Sequence, residues 1–456
     1  MSTETLHSPI PRHTVNPISR LFRYYWGANI VERVRIVFCL VLAFVFTGFL
    51  EWIGTRTLII IYGYLATYIL GLTVCMIKDR TFWRRVQYVH VLTGFLTLYH
   101  LWGILVLDNK APMLFEAFRS YSREMVTVYA CAAALAGKKE LRIFANGLQI
   151  GLILNALVSL LGYQYPVYYA FLVLDPKVAF NMENVGRYSG IFTNPNAASY
   201  VYVGCLFFSR WAHPRLALAS RIFGLIALYL TFSRTSQYLL IIALILAVVR
   251  RVLLQWKAGD YKRVAQTVGK VGVGITVLMA LVLANLDALE HNPKFQRFQN
   301  VSDQRRGYRG RFGVLADSVD LAMRGPWYGK GLFQFKEGIT QVSPGVYVGA
   351  HNTYVLLLGE IGWINMLIYM GIIIYALIRS WRVVPDPEER YYISRYVVYI
   401  LIVGATWHNL LIHLHGVLMV TFVFHVPNLF VAPKSNRQHL LPPPACTSLT
   451  GVAVSD

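Results

Sequence analysis

Hydrophobic positions in this chain fall in long blocks, not in the alternating or one-faced patterns of elements that pack against water. A bilayer core of about 30 Å needs about 20 apolar residues per helix. On that template the chain reads as spans over 36–53, 57–77, 86–107, 122–137, 141–163, 196–211, 216–233, 235–253, 267–286, 351–378, 392–411 and 416–432. Short polar connections separate them, except that residues 287–350 form a long polar stretch between the ninth and tenth spans. The pattern predicts an all-α polytopic membrane protein of about 12 transmembrane helices with one large loop carrying short helices. The expected divisions are a tail (1–35), helices one to nine (36–286), the large loop (287–350), helices ten to twelve (351–432) and a second tail (433–456).

Composition supports this and removes alternatives. Of 456 residues, 56% are hydrophobic and 14% charged, against roughly 25% charged in soluble domains, and the mean hydropathy is +0.48. Such a chain is not a soluble enzyme, a disordered protein or a nucleic-acid binder, despite a net charge of +21. The basic excess belongs instead to connections facing the cytoplasm. Arg33 and Arg35 precede the first span, while Lys78, Arg80, Arg84 and Arg85, then Lys138, Lys139 and Arg142, fall on alternate connections. The intervening connections are much poorer in lysine and arginine, so both termini are expected in the cytoplasm and the large loop outside. The polar, irregular N-terminal segment predicts no cleavable leader. Cys39, Cys75, Cys131, Cys205 and Cys446 show no paired spacing, so no disulfide framework or metal cluster is expected.

The large loop carries candidate chemistry. Arg305, Arg306, Arg309 and Arg311 lie within one short stretch interleaved with Gly307 and Gly310. Planar guanidinium forks match phosphate oxygens bidentately, and glycines let backbone approach a ligand closely. A solvated basic face beside anionic headgroups is the bland alternative. Arg311 to Met323 reads as an amphipathic helix with Phe312, Leu315, Ala316, Val319 and Met323 on its apolar face. Trp327, Tyr328, Phe333 and Phe335 suit the headgroup layer.

Three further sites fall on the same outer side. Arg187 opens Arg187-Tyr188-Ser189-Gly190, followed by Asn194-Pro195-Asn196, a shaped loop entering the bilayer. Arg234 sits between Ser233 and Thr235 in a break too tight for an ordinary loop, and a charge at the membrane boundary is a functional candidate. Snorkelling to the interface is its alternative. His351 stands where the large loop re-enters the membrane, and an imidazole there can act as a base near neutral pH. His408, His413 and His415 on the next outer loop lack an accompanying carboxylate or cysteine and read as interfacial. Cations from four places beside one base suit an anionic, lipid-linked substrate, with diphosphate the natural candidate.

These residues resemble the O-antigen ligase and polymerase superfamily. Its signature is a histidine followed by Asn, Ser or Gln, nine residues and a glycine, here His351-Asn352 and then Gly362. The next preferred position holds Asn365 in place of Gly, Thr or Tyr. The segments at Arg187–Gly190, Asn194–Asn196, Ser233–Thr235 and Gly310–Gly331 are also similar to family segments. The resemblance implies a bacterial inner-membrane glycosyltransferase that takes a glycan from undecaprenyl diphosphate and, in the ligase branch, passes it to a lipid A–core sugar at the periplasmic face. His351 would act on the acceptor hydroxyl and Arg311, with Arg187, Arg234, Arg305, Arg306 and Arg309, on the diphosphate. No nucleotide, metal or other cofactor is implied, and the partners are donor, acceptor and membrane lipids. An O-antigen polymerase or a protein O-oligosaccharyltransferase would use the same donor. A secondary transporter is the rival from another class, but the clear mid-span acid is Glu360 alone and no repeat of the halves is visible.

Overall fold

The computed structural model describes residues 29–49, 52, 58–107, 111–172, 187–192, 194–284, 311–335, 352–407, 410–411 and 413–430. Helices occupy part of each apolar stretch. They are α1 (Ile30–Phe46), α2 (Leu58–Lys78), α3 (Phe82–Val86), α4 (His90–Leu105), α5 (Ala111–Ala134), α6 (Lys138–Gln164) and α7 (Pro166–Leu172). There follow α8 (Pro195–Phe208), α9 (Pro214–Leu230), α10 (Arg234–Lys257), α11 (Tyr261–Ala284), α12 (Arg311–Arg324), α13 (Thr353–Val383), α14 (Pro387–Thr406) and α15 (Leu414–His425). No strand occurs among the described residues.

Among the described residues, three helical stretches are long and apolar enough to cross a membrane by length and composition: Phe82–Leu105, Lys138–Gln164 and Thr353–Val383. Large apolar side chains on α10 and α11 face outward, among them Ile241, Leu244, Ile245, Val273, Ile275 and Leu283. An apolar outer surface of that extent faces lipid, not water. The chain is a helical membrane protein.

Local chemistry explains where the helices begin and end. α1 starts earlier than its apolar run because Asn29 and Glu32 form a reciprocal capping box, and it stops at Thr47, before Gly48 with φ +80°. α5 extends well upstream of the expected 122–137, through the polar residues Glu116 and Ser120. Glu124 is fully buried, and its Oε1 accepts a hydrogen bond from Ser120 at 2.8 Å, so the helix carries part of the polar interruption into the bundle. Asp386 caps α14, with Pro387 in its first turn.

The core forms around α1 and α15. Phe38, Cys39, Leu42, Ala43 and Phe46 of α1 are buried, as is α15 on every side. Gly147 and Gly151 of α6, four residues apart, let α1 approach. A methyl at Gly147 would lie 2.8 Å from the Ala43 side chain and one at Gly151 would lie 2.4 Å from Thr47 Oγ1. The four described cysteines are free and buried.

α1 also connects two contrasting ends. At its start, Arg35 and Arg85 both donate to Asp79, which lies in the turn after α2. Burial alone would raise the Asp79 pKa, but hydrogen bonds from Arg85, Arg35 and Thr81 outweigh it and hold the carboxyl well below the usual carboxylate range. At the far end, Thr47 O accepts from Asn155 Nδ2 at 3.0 Å, and Asn155 Oδ1 receives the Ile191 N–H at 3.2 Å. Twelve residues of helix rise about 18 Å between these points.

Candidate functional site

The segment 187–192 is built by hydrogen bonds to neighbouring helices. Arg187 is 9% exposed, and its Nε donates to Thr231 O at 2.8 Å while Nη2 donates to Asn196 Oδ1 at 2.8 Å. The Tyr188 N–H donates to Leu230 O at 2.9 Å. The C-terminal carbonyls of α9, which a helix leaves unpaired, are thus met by this segment. Tyr202 OH donates to Ser189 O at 2.7 Å, and the Ser189 N–H donates to Tyr169 OH at 2.8 Å. Gly190 takes φ +65° with Asn155 Oδ1 2.3 Å from where a Cβ would stand, so only glycine fits. Asn194 caps α8 by accepting from the backbone of Asn196 and Ala197. The Asn-Pro-Asn turn therefore does two tasks: it starts a helix and presents Asn196 to Arg187.

The break between α9 and α10 is as tight as the sequence indicates. Phe232 adopts φ +48°, an uncommon conformation for an aromatic residue. Thr231 and Ser233 are buried, and Arg234 is the first residue of α10. Arg187 is bonded three residues before Arg234, so two of the four sequence signals meet here.

A third signal joins them through α13. Asn352 caps α13, its side chain accepting from the N–H groups of Tyr354 at 2.9 Å and Val355 at 3.2 Å. Thr353 Oγ1 donates to Trp407 O at the end of α14. Trp407 stacks on Tyr200 of α8 with centroids 5.5 Å apart, and Tyr200 OH donates to Thr406 O at 3.0 Å. The start of α13, the end of α14 and the first turns of α8 therefore share one end of the bundle. His413 stacks on the other side of this assembly, 5.9 Å from Trp407, and then on His415 at 6.2 Å. Tyr200, Thr353 and Trp407 carry no motif chemistry, and the sequence offered only their aromatic or cap-adjacent character as a signal.

The fourth signal is α12. It packs on the first turns of α13 through Val314, Ala322, Val355 and Leu356, with Phe335 beneath them. The expected apolar face needs correction. Leu315 is partly covered, but Ala316, Val319 and Met323 are exposed, and the buried face runs through Val314, Ser318 and Ala322. Ser318 fits because its hydroxyl donates back to Val314 O at 2.6 Å. Phe335 is fully buried, filling the space left by Gly359.

The long helix α13 is also not continuous. Gly362 is non-helical, with φ +83°, and a Cβ there would lie 2.1 Å from Trp327 O. The break exposes carbonyls of Gly359 and Glu360, which accept the N–H groups of Lys330 and Gly331, both at 2.9 Å. Trp363 N–H donates to Trp327 O at 3.3 Å. Glu360, 1% exposed, accepts from the Phe333 N–H at 3.0 Å and from Tyr99 OH at 2.6 Å. The glycine of the signature is thus the dock for residues 327–333, and Glu360 secures them to α4. In the sequence Glu360 reads only as a mid-span acid.

Asn194, Asn196, Asn352 and Gly362 all have defined structural tasks. Arg234 and Arg311 are the first residues of α10 and α12. His351, Arg305, Arg306, Arg309 and His408 lie outside the described residues. Among the described residues, no group of three His, Cys, Asp or Glu side chains is placed to hold a metal ion. Chemically, the assembled end gathers the N-terminal ends of α8, α10 and α13, whose dipoles favour anions, with Asn194 and Asn352 meeting first-turn N–H groups of α8 and α13.

No curated protein matches the chain. A family model described as O-antigen ligase matches residues 219–370. The matched stretch begins within α9 and ends within α13, so it holds the 231–233 break, α12, the docked segment 327–333 and the glycine that receives it. Over residues 219–370 the chain is therefore similar to the O-antigen ligase family.

Proposed function

We propose that this membrane protein is an O-antigen ligase. It transfers a glycan from undecaprenyl diphosphate to a lipid A–core sugar at the periplasmic face of a bacterial inner membrane, with twelve crossings and both termini cytoplasmic. The observation that carries this reading is the meeting of Arg187, the 231–233 break and the starts of α8, α10 and α13 at one end of the bundle, within and beside the family match. A diphosphate leaving group needs fixed positive charge where its own negative charge develops, and guanidinium forks with helix N-termini are suited to that task.

In the proposed reaction His351 takes the proton of the acceptor hydroxyl as its oxygen attacks C1 of the donor sugar. The C1–O bond to the diphosphate breaks, and undecaprenyl diphosphate leaves with both electrons of that bond. A single displacement inverts the anomeric centre. Arg187, Arg234, Arg311 and the Arg305–Arg309 group hold the diphosphate, and neither ATP nor a divalent metal takes part. The sequence supports this last point, because the outer connections carry no Asp-x-Asp pair of the kind that holds a metal against a diphosphate.

The test is transfer by purified protein given lipid-linked glycan and lipid A–core, in EDTA and without ATP. Full transfer is expected. A strict metal requirement would overturn the arginine mechanism. Growth of glycan on the carrier, transfer to a protein, or solute flux without transfer would replace the ligase reading by a polymerase, a protein O-oligosaccharyltransferase or a transporter.

A further inference from the structure

A groove of about 550 Å³ opens between α8, α10 and α14. Its walls are apolar over most of their length, with Val203, Leu246, Val398 and Ile402 among them. One end is different. Arg250, Lys257 and Arg395 gather there, and no Asp or Glu is among the lining residues. These residues belong to the C-terminal part of α10 and the first turns of α14. Along α10 the lining runs from Ile242 to Lys257, about 22 Å of helix. That covers one leaflet's half of a roughly 30 Å hydrocarbon core and reaches the headgroups.

The cations are held by aromatic faces. The Arg250 guanidinium lies 3.8 Å from the Tyr391 ring centroid and donates to Glu388 Oε1 at 3.1 Å. Arg395 lies 5.4 Å from the Tyr391 ring and 5.7 Å from the Phe207 ring. Cations stacked on rings keep a defined position at the rim, where Arg250 shares its charge with Glu388.

We propose that this groove binds an anionic diacyl phospholipid, its phosphate at Arg250, Lys257 and Arg395 and an acyl chain along Val203, Leu246 and Val398. Charge complementarity selects an anionic head, and the apolar walls select a chain. The glycan donor is not the occupant, since its diphosphate is assigned to the opposite end of α10. Arg250 and Lys257 lie 16 and 23 residues beyond Arg234, about 24 and 35 Å along the helix. Which leaflet supplies the lipid follows from the proposed orientation, but the binding itself does not depend on it or on the transfer reaction.

The experiment uses the full chain in phosphatidylcholine vesicles with spin-labelled phosphatidylglycerol or spin-labelled phosphatidylcholine of equal chain length. One cation near a headgroup is worth about a fivefold preference, so wild type should favour phosphatidylglycerol about fivefold or more. Arg250→Gln/Lys257→Gln/Arg395→Gln should bring the ratio to about one, with unchanged thermal unfolding as the control for folding. Because Arg250 also bonds Glu388, the exposed Lys257→Gln alone serves as the milder variant, with a preference reduced up to about fivefold. Val398→Trp, which fills the apolar wall, should remove the motionally restricted signal of both probes. No preference in wild type, or one that survives the cation variants, overturns the proposal. Displacement of phosphatidylglycerol by an equimolar polyprenyl phosphate would overturn it in favour of a carrier-lipid site. Dimers that Val398→Trp converts to monomers, without lipid preference, would give the groove to a second copy of the chain.

Discussion

The two ends of α1 use arginine in opposite ways. At the start of the helix, Arg35 and Arg85 converge on one buried carboxylate, Asp79. At the far end, the partners described for Arg187 are a backbone carbonyl and an amide oxygen. An arginine matched to a carboxylate has its charge compensated within the fold and acts as a fastening. The guanidinium of Arg187 is instead oriented by neutral oxygens, which fix the direction of its planar fork. The difference teaches that the number of basic residues says little about function, while the chemistry of what holds them says more.

The largest expected effect belongs to the second end. His351→Ala should lower transfer by about 10²–10⁴-fold, the usual worth of a general base, with expression and thermal unfolding unchanged. Retention of most activity would remove the base from the mechanism and leave that end as a binding surface only. The next effect belongs to the first end. Asp79→Asn leaves two arginines beside an uncharged amide, and breaking a buried ion pair costs about 3 kcal/mol or more. It should lower the unfolding midpoint clearly without changing the apparent KM for donor. Because folding depresses the Asp79 pKa, its contribution is fully present above the ordinary carboxylate range. It is lost as pH falls below about 4 toward the lowered folded value. Wild type should therefore lose stability in acid more steeply than Asp79→Asn, as followed by thermal unfolding from pH 7 down to about 3.

The contrast also marks what the sequence could reveal. Each apolar stretch contains a helix because block hydrophobicity is a strong local signal. Gly190, Asn194, Asn352 and Gly362 were legible as motif positions because turns and caps demand particular residues. The tasks of those residues were less legible, since they depend on partners far along the chain. Gly362 needs Trp327, Asn196 needs Arg187, and Thr353 needs Trp407. The apolar face of α12 was misplaced for the same reason. Its buried side is set by Val355, Leu356 and Phe335, which helical spacing within α12 alone does not encode.

A smaller effect separates aim from charge. Arg187→Lys keeps a cation but cannot bridge Thr231 O and Asn196 Oδ1 with a planar fork. Hydrogen bonds to a charged group are worth about 1.5–3 kcal/mol each, so transfer should fall roughly tenfold or more, with donor binding weakened more than acceptor binding. Wild-type activity in Arg187→Lys would mean that this end supplies a general positive field, and the contrast between aimed and compensated arginines would lose its functional meaning.

The smallest effect concerns a carboxylate at the second end, where the comparison can be reversed. Glu360 is held by a phenol and a backbone N–H, neutral donors, so its described contacts bind through hydrogen bonds and not through ion pairing. Glu360→Gln preserves an acceptor for the Phe333 N–H and turns an amide toward Tyr99, whose oxygen can receive it. Glu360→Ala removes both acceptors and leaves two buried donors unsatisfied, at about 1–3 kcal/mol each. The Gln variant should keep transfer within about threefold of wild type, while the Ala variant should lose stability and turnover together as residues 327–333 leave the break in α13. Limited proteolysis of that segment reads the undocking directly. If Gln proves as damaging as Ala, the negative charge itself is required, and this end of the molecule would contain a compensated charge of the same kind as Asp79.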